Sequence, residues 1–425
     1  MLFPQYPIIQ LTNIFSQPTS PRWFTCTPVA FGGGPDFFAR DSGLLCRGFQ
    51  SIGVESRAVM PGPPQAGDEP DLIRTEFKNL ESAAWWKAHQ LDGVVLYAWG
   101  RPKFRKVARA IHQAGIFLVL NQDNGGLVSP LAGPADWLRE QWILAGGAGA
   151  AFLRKVARGL TVGLVATDPL RAWHLRQGDV IACVSPQAAA IYQRLCRIYG
   201  GRLDARIRVV PHPVEPSFVY RGETKMRQIL CVGRWEDDVQ KRPDLLMRVA
   251  GMLVDRDDAV RIVIAGNTPD AMRAWHAALA PEQRARIELA GRLDRPALAA
   301  AMNRTQVFFS PSAFESFGIA AAEALCCGCS VTAAKSVSMA SFAWFVSGAS
   351  RGHPTRGPSP HGTLAETDHP DAHAAALMQE LDHWQAGQRD AHEISSTWTK
   401  HLHADQIAAR ILDLQSQTPP STASA

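Results

Sequence analysis

The sequence predicts an α/β protein of two domains, each a doubly wound parallel sheet. Three observations support this fold class. The chain has 425 residues, more than one hydrophobic core usually covers. Apolar runs of strand length alternate with helical patterns, which is typical of parallel strands joined by right-handed crossovers. The composition, 46% hydrophobic and 20% charged residues, is that of an ordinary globular protein.

In the first half, a glycine-rich turn at 31–36 leads from the first predicted strand into a helix from Asp36 to about Ile52. A second helix is predicted over 102–115. The predicted strands are 7–14, 55–60, 92–99, 116–122 and 179–185.

The second half repeats this alternation. The Pro-rich segment 209–218 predicts the crossover between the two domains. The predicted strands are 228–233, 260–266, 286–291, 306–311 and 329–334, and the predicted helices are 243–254, 294–304 and 319–327.

We therefore expect two Rossmann-like domains that face a cleft. No strand follows the last helical pattern, so we expect that helix to pack back on the first domain. The predicted parts are a first domain at 1–212, a linker at 213–227, a second domain at 228–395, the returning helix at 396–415 and a disordered tail at 416–425.

Composition also limits where the protein works and what it binds. Neither a secretory signal nor a long uncharged apolar run is evident, so we predict a cytoplasmic protein whose eight cysteines are free thiols. The pair Cys326 and Cys329 lacks further ligands at zinc-site spacing, and we predict no metal site. The first 200 residues hold 20 Lys and Arg against 14 Asp and Glu, which suggests an anionic partner. No nucleic-acid motif accompanies the basic stretch 101–109, so nucleic acid is not expected.

In doubly wound sheets, ligands bind beyond the carboxyl ends of the strands. Arg234 and Lys241 follow the strand 228–233, and Lys241 stands just before a helix that begins with Pro243. Two cations beside a helix N-terminus favour an anion such as a diphosphate.

A second loop at this edge has a different chemistry. Glu315 lies in the loop before a predicted helix, and Glu323 lies about one turn inside it. The backbone amides of Phe317, Gly318 and Ile319 can approach a ligand closely because the neighbouring side chains are small. Carboxylates accept strong hydrogen bonds from hydroxyl groups. A diphosphate flanked by two polyols satisfies both loops, and a nucleoside-diphosphate sugar is such a molecule.

The spacing Glu315-x7-Glu323 resembles that of the retaining GT-B glycosyltransferases of family 4, the glycosyl transferases group 1. The resemblance extends from about residue 179 to 334. It rests on the segments 179–195, 206–218, 230–246 and 290–333.

The resemblance implies a hexosyltransferase-type enzyme of polysaccharide biosynthesis with a nucleotide-sugar donor. Arg234 and Lys241 would bind the donor diphosphate, Glu315 the sugar hydroxyls and Glu323 the ribose, while the loop at Leu293 would hold the base. Transfer would retain the anomeric configuration without a cofactor or an obligatory metal, because cationic side chains stabilise the leaving group. The acceptor, on the first domain, would be a glycan, a lipid-linked molecule or a small molecule.

The sequence departs from this family in two places. Family members often carry a histidine after the fourth strand of the first domain, where this chain has "NQDNGG" at 121–126. Gln122 or Asp123 would take that place, Asp123 either as a base or in an Asx turn. The second departure is a long insert at 335–363, to which no function is assigned.

Two further features allow two interpretations each. Gly33 and Gly34 either admit the donor phosphate from across the cleft or form a structural turn. The basic, Trp-containing stretch 136–176 either packs on the first domain or contacts an anionic membrane at the inner face.

Two other functions remain open from the sequence. A sugar-nucleotide epimerase has the same two-domain cleft. A non-catalytic protein that binds nucleotide sugars or glycans is also compatible with the altered "NQDNGG" motif.

Overall fold

The computed structural model describes residues 20–336, 338–339, 341–348 and 359–418. These residues contain two sheets. The strands are β1 Arg22–Cys26, β2 Glu55–Pro61, β3 Leu72–Thr75, β4 Gly93–Tyr97, β5 Phe117–Gln122, β6 Val180–Cys183, β7 Ile207–Val209, β8 Met226–Val232, β9 Arg261–Ala265, β10 Ile287–Gly291, β11 Thr305–Phe309, β12 Ser330–Ala334 and β13 Gly362–Ala365.

Both sheets are parallel and doubly wound, as predicted. The strand order is β3-β2-β1-β4-β5-β6-β7 in the first sheet and β10-β9-β8-β11-β12-β13 in the second. In each sheet the order reverses beside the first strand, between β1 and β4 and between β8 and β11. Ligands of such sheets bind at this switch point.

Helices cover both faces of the sheets. Short 3-10 helices lie at Pro102–Phe104, Pro130–Ala132 and Asp204–Arg206, and a π-helical stretch at Gly159–Thr167 joins two α-helices. The α-helices are α1 Pro35–Phe38, α2 Asp41–Ser51, α3 Phe77–Leu80, α4 Ala83–Ala88, α5 Arg105–Gln113, α6 Pro134–Leu144, α7 Ala150–Arg158, α8 Asp168–Leu175, α9 Pro186–Tyr199, α10 Pro243–Arg256, α11 Asp270–Ala278, α12 Pro281–Arg284, α13 Arg295–Arg304, α14 Ile319–Cys326, α15 Phe342–Val346, α16 Pro370–Gln385, α17 Ala391–Leu402 and α18 Ala404–Gln417.

The structure differs from the sequence prediction near the N-terminus. The predicted strand 7–14 lies outside the described residues, and the first described strand is β1. The predicted helix from Asp36 to Ile52 is two helices, α1 and α2. Between them Arg40 is extended and Asp41 has a φ of 49°, which interrupts the helical backbone.

Three strands were not predicted, namely β3, β7 and β13. They have three or four residues each and lie at sheet edges, where little apolar surface is buried. The central strands are apolar on both faces, as parallel strands between two helix layers must be. All eight cysteines are buried and free, which confirms that prediction.

The C-terminal helices contact different domains. Helix α17 packs against α14 of the second domain, whereas α18 packs against α2 of the first. Ile407 and Ile411 of α18 join the core around Trp23 and Phe49. Of the predicted tail 416–425, the first two residues belong to α18, and 419–425 lie outside the described residues.

Candidate active site

Two predicted site residues meet at the switch point of the second sheet. Because β8 and β11 are neighbours, the loops that follow them share one edge. Lys241 Nζ, from the first loop, contacts Glu315 Oε1, from the second. Ser312 Oγ donates a hydrogen bond to the same carboxylate oxygen at 3.0 Å. Both charged side chains retain some exposure, 17% for Lys241 and 13% for Glu315, so a ligand can reach them.

The two loops are held together through Gln240. Its carbonyl accepts a hydrogen bond from the Ala313 amide at 2.8 Å, and its side-chain Nε2 donates to the Phe314 carbonyl at 3.2 Å. Its Oε1 lies 3.4 Å from Arg234 Nη2. The side chain of Arg234 is 75% exposed, so the second predicted cation lies at the surface of this edge.

Two helices begin at the same edge, α10 at Pro243 and α14 at Ile319. Neither N-terminus is capped by a side chain, so first-turn amides remain available to an anion. Gly318 precedes α14 with a φ of 86°, and a Cβ there would lie 3.0 Å from the Phe342 ring. The side chain of Phe317 is buried, so this residue offers the site its backbone.

Glu323 is buried beside a cation that the sequence analysis missed. Arg295 Nη2 lies 3.0 Å from Glu323 Oε1, and Arg295 Nε lies 2.5 Å from Glu215 Oε2. Burial raises the pKa of Glu323, and the positive charge of Arg295 opposes that rise. Arg295 thus bridges two carboxylates, one from α14 and one from the segment between the domains.

A cavity of about 830 Å³ opens between the domains next to Arg295. Leu293 and Asp294 line it from the second domain, and Pro35 and Asp36 from the first. Lys241 and Glu315 lie outside its lining. Glu323 likewise lies outside the lining, whereas Leu293, the residue predicted to lie near the base, is part of it.

Asp123 lies across the cleft from the Glu315 loop. Ser316 Oγ donates a hydrogen bond to Asp123 Oδ1 at 2.9 Å, which joins the two domains. The Asx turn before Gly126 is formed by Asn124, whose Oδ1 accepts from the Gly126 amide. The alternative candidate, Gln122, is fully buried beneath this loop.

Gly33 and Gly34 lie in the loop between β1 and α1. The Gly33 carbonyl accepts from the Glu69 amide at 2.9 Å, and a Cβ on Gly33 would lie 2.2 Å from the Leu72 side chain. Gly34 is the N-cap of α1, one residue before the cavity lining at Pro35. The close packing of Gly33 is what a structural turn requires.

The sequence analysis also missed His212 and Asp41. His212 lies between Asp41 and Asp123, with nitrogen-to-oxygen distances of 3.6 and 3.0 Å. A signal was present, because His212 and Glu215 are polar residues within the Pro-rich crossover 209–218. Among the described residues, no group of three His, Cys, Asp or Glu side chains could hold a metal ion.

Part of the chain matches a known protein family. Residues 217–342 match the family model described as glycosyl transferases group 1. That range includes Arg234, Lys241, Glu315 and Glu323. A search of curated proteins finds no match.

Several solved structures share the fold. Sucrose-phosphate synthase from Thermosynechococcus elongatus is 16% identical, with a TM-score of 0.60 over 93% of this chain and 98% of that one. The Anabaena protein HepE, in complex with UDP and glucose, is 14% identical, with a TM-score of 0.54 over 93% and 100%. A putative UDP-N-acetylglucosamine 2-epimerase from Listeria monocytogenes is 14% identical, with a TM-score of 0.53 over 92% and 95%.

At these identities the likeness concerns the fold, which transferases share with an epimerase. The family match separately covers the loops that carry Lys241 and Glu315. The chain therefore has the GT-B fold, and its residues 217–342 match the family model described as glycosyl transferases group 1.

Proposed function

We propose that the protein is a retaining glycosyltransferase of family 4. It would move a hexose from a nucleoside-diphosphate sugar to a glycan, a lipid-linked molecule or a small-molecule acceptor. The observation that carries this proposal is the pair of Lys241 and Glu315 at the switch point, between two uncapped helix N-termini. This arrangement offers positive charge to a diphosphate and a carboxylate to sugar hydroxyls.

Each residue has a distinct role in this proposal. Lys241 and the exposed Arg234 stabilise the charge that develops on the leaving diphosphate, which is the task of a metal ion in other enzymes. Glu315 orients the donor sugar, and Glu323 accepts hydrogen bonds from the ribose. Asp123 faces the same loop from the acceptor side. The glucose and UDP bound to HepE support a nucleotide-sugar donor.

A panel assay tests this function. The protein is incubated with radiolabelled UDP-, ADP- and GDP-sugars, with and without a lipid extract or oligosaccharides. We expect one donor to release its nucleoside diphosphate in a manner that depends on the acceptor, with the anomeric configuration retained in the product by NMR. EDTA should leave the rate unchanged, because Lys241 and Arg234 take the place of a metal.

Other outcomes would contradict the proposal. If a nucleotide sugar binds but its nucleoside diphosphate is not released with any of the acceptors, the protein is a non-catalytic binding protein. Interconversion of two sugar nucleotides without an acceptor would identify an epimerase. An inverted product would reject the retaining assignment.

We also propose that the first domain contacts a membrane on its cytoplasmic side. The support is the largely exposed segment 138–167, which is apolar and basic apart from Glu140, whose carboxylate accepts a hydrogen bond from Ser338 of the second domain. None of the residues 150–167 is buried, and Leu153 and Val165 are 66% and 80% exposed. The basic residues of α7 accompany these apolar side chains, a combination that suits an anionic lipid surface. Among the described helices, none is long and apolar enough to span a bilayer.

The rest of the stretch 136–176 is part of the domain core. Trp137 is buried, and Arg171 is buried against Asp168. Packing on the first domain therefore explains the two ends of the stretch, and the largely exposed segment 138–167 is the part assigned to the membrane.

Sedimentation with liposomes tests this contact. At low salt we expect binding to phosphatidylglycerol vesicles and weaker binding to phosphatidylcholine vesicles, with the preference for phosphatidylglycerol lost as salt rises. The double variant Arg154→Glu with Lys155→Glu should lose binding. A matched pair on α5, Lys106→Glu with Arg109→Glu, should retain it. Equal, negligible binding of the wild type to both lipids would reject the membrane contact.

A further inference from the structure

His212 occupies an unusual position between the two domains. It belongs to the crossover 209–218, and its side chain is 1% exposed. Its Nε2 lies 3.0 Å from Asp123 Oδ1, and its Nδ1 lies 3.6 Å from Asp41 Oδ1. Each ring nitrogen therefore lies within ion-pair distance of a carboxylate oxygen, although neither makes a hydrogen bond of good geometry.

The surroundings hold the imidazole in place. Tyr97 of β4 stacks on one side, with ring centroids 6.2 Å apart, and Phe317 meets the ring edge to face at 5.5 Å. Asp41, at the start of α2, is held at a φ of 49°, which is uncommon for a residue other than glycine. The neighbouring Arg40 bonds to the Asp41 carboxylate and is the nearby cation that opposes a charge on His212.

This geometry favours the doubly protonated ring. Two carboxylates lie within 4 Å of the ring and attract a positive charge on it, whereas a neutral imidazole would place an unprotonated nitrogen near a carboxylate oxygen. Burial by itself would lower the pKa of His212, but attraction to Asp123 and Asp41 raises it overall. Burial would raise the pKa of Asp123, but its contacts with His212 and Ser316 lower it overall. The phenol of Tyr97 stays neutral, because burial raises its pKa further.

His212 is linked to the candidate active site through its contact with Asp123. Asp123 accepts the hydrogen bond from Ser316, which follows Glu315 in the loop. The carbonyl of Ser316 in turn accepts from Ser341 Oγ at 3.0 Å. A change at His212 therefore reaches the Glu315 loop through Asp123.

We propose that His212 is a positioning residue for sugar transfer, whose imidazolium keeps Asp123 ionised and bonded to the Glu315 loop across the cleft. This inference rests on the proposed function. On this proposal, the crossover between the domains contributes a histidine that supports transfer. The segment 121–126 contains no histidine.

The proposal has a defined pH dependence. Since the pKa of His212 in the folded protein is raised above 6.5, its contribution is present in full below 6.5. The contribution is lost as pH rises through the raised value. Turnover should therefore fall on the alkaline side of the profile with the slope of a single group.

The variant Asp41→Asn tests the assignment. Asparagine tolerates a positive φ, so the start of α2 should be preserved. Removal of one carboxylate should move the alkaline limb of turnover down by about one pH unit, while turnover at lower pH stays within about twofold of the wild type. The control Asp258→Asn changes a fully exposed carboxylate of the second domain and should leave the limb in place. If the alkaline side of the turnover–pH profile is the same in Asp41→Asn as in the wild type, the proposal is overturned.

A second measurement does not need turnover. Histidine side-chain NMR, with His212→Asn to identify the signal, should show that His212 titrates above 6.5 and that Asp41→Asn lowers this value. Titration at or below 6.5 in the wild type would overturn the proposal even where transfer is observed. A raised titration without any transfer would instead show that the proposed function is wrong and the charge assignment right.

Discussion

Replacing Lys241 with alanine is expected to lower kcat by about 10²- to 10³-fold and to change donor affinity much less. The ammonium of Lys241 lies at the edge where two helices begin, beside the position proposed for the diphosphate. Charge accumulates on that group as the sugar leaves, so an interaction with it is stronger in the transition state than in the ground state. Loss of one preorganised donor to a developing anion has effects of this size.

The measurement must separate this effect from lost stability. Glu315 loses its cationic partner in Lys241→Ala and keeps the hydrogen bond from Ser312. The double variant Lys241→Ala with Glu315→Gln removes the unpaired charge, and we expect it to recover the melting temperature without recovering kcat. Lys400→Ala, an exposed change on α17, is the matched control. A kcat of Lys241→Ala within threefold of the wild type would contradict the assignment.

Much of the fold was predictable from local sequence. Central strands such as β9 and β11 are short apolar runs between helical patterns, and this pattern is a direct consequence of burial on both faces. The edge strands β3 and β13 were not predictable, because "LIRT" and "GTLA" carry little of that signal. Their pairing depends on neighbours that already exist in the folded sheet.

Some residues of the candidate site could also be predicted from the sequence, and others could not. Lys241 and Glu315 could be paired from the sequence, because each follows a strand and precedes a helix in a doubly wound sheet. Their contact in the structure agrees with that argument. The partners of Arg295 and His212 lie in other elements, so Arg295 gave no signal, and His212 could be noticed only as a polar residue within the crossover 209–218. The Arg295 contacts with Glu215 and Glu323 span 80 and 28 residues of sequence.

The ion pair between Arg295 and Glu323, which was not predicted, adds to the proposed role of Glu323. Glu323 was expected to accept hydrogen bonds from the ribose, and the structure adds a buried ion pair with Arg295. Burial raises the pKa of Glu323, and the positive charge of Arg295 favours its ionised form, which accepts the stronger hydrogen bonds. Arg295 therefore supports the proposed role of Glu323 in binding the nucleotide.

Replacing Glu323 with glutamine is accordingly expected to weaken nucleotide binding by tenfold or more. The amide has nearly the same shape, but the charged acceptor opposite the ribose is lost, and hydrogen bonds to charged groups contribute about 1.5–3 kcal/mol. Calorimetry with UDP, ADP and GDP identifies the nucleotide that binds and measures the loss. Asp258→Asn, at a fully exposed carboxylate of the second domain, is the matched control and should leave the affinity within threefold of the wild type. Unchanged affinity in Glu323→Gln would remove Glu323 from the nucleotide site.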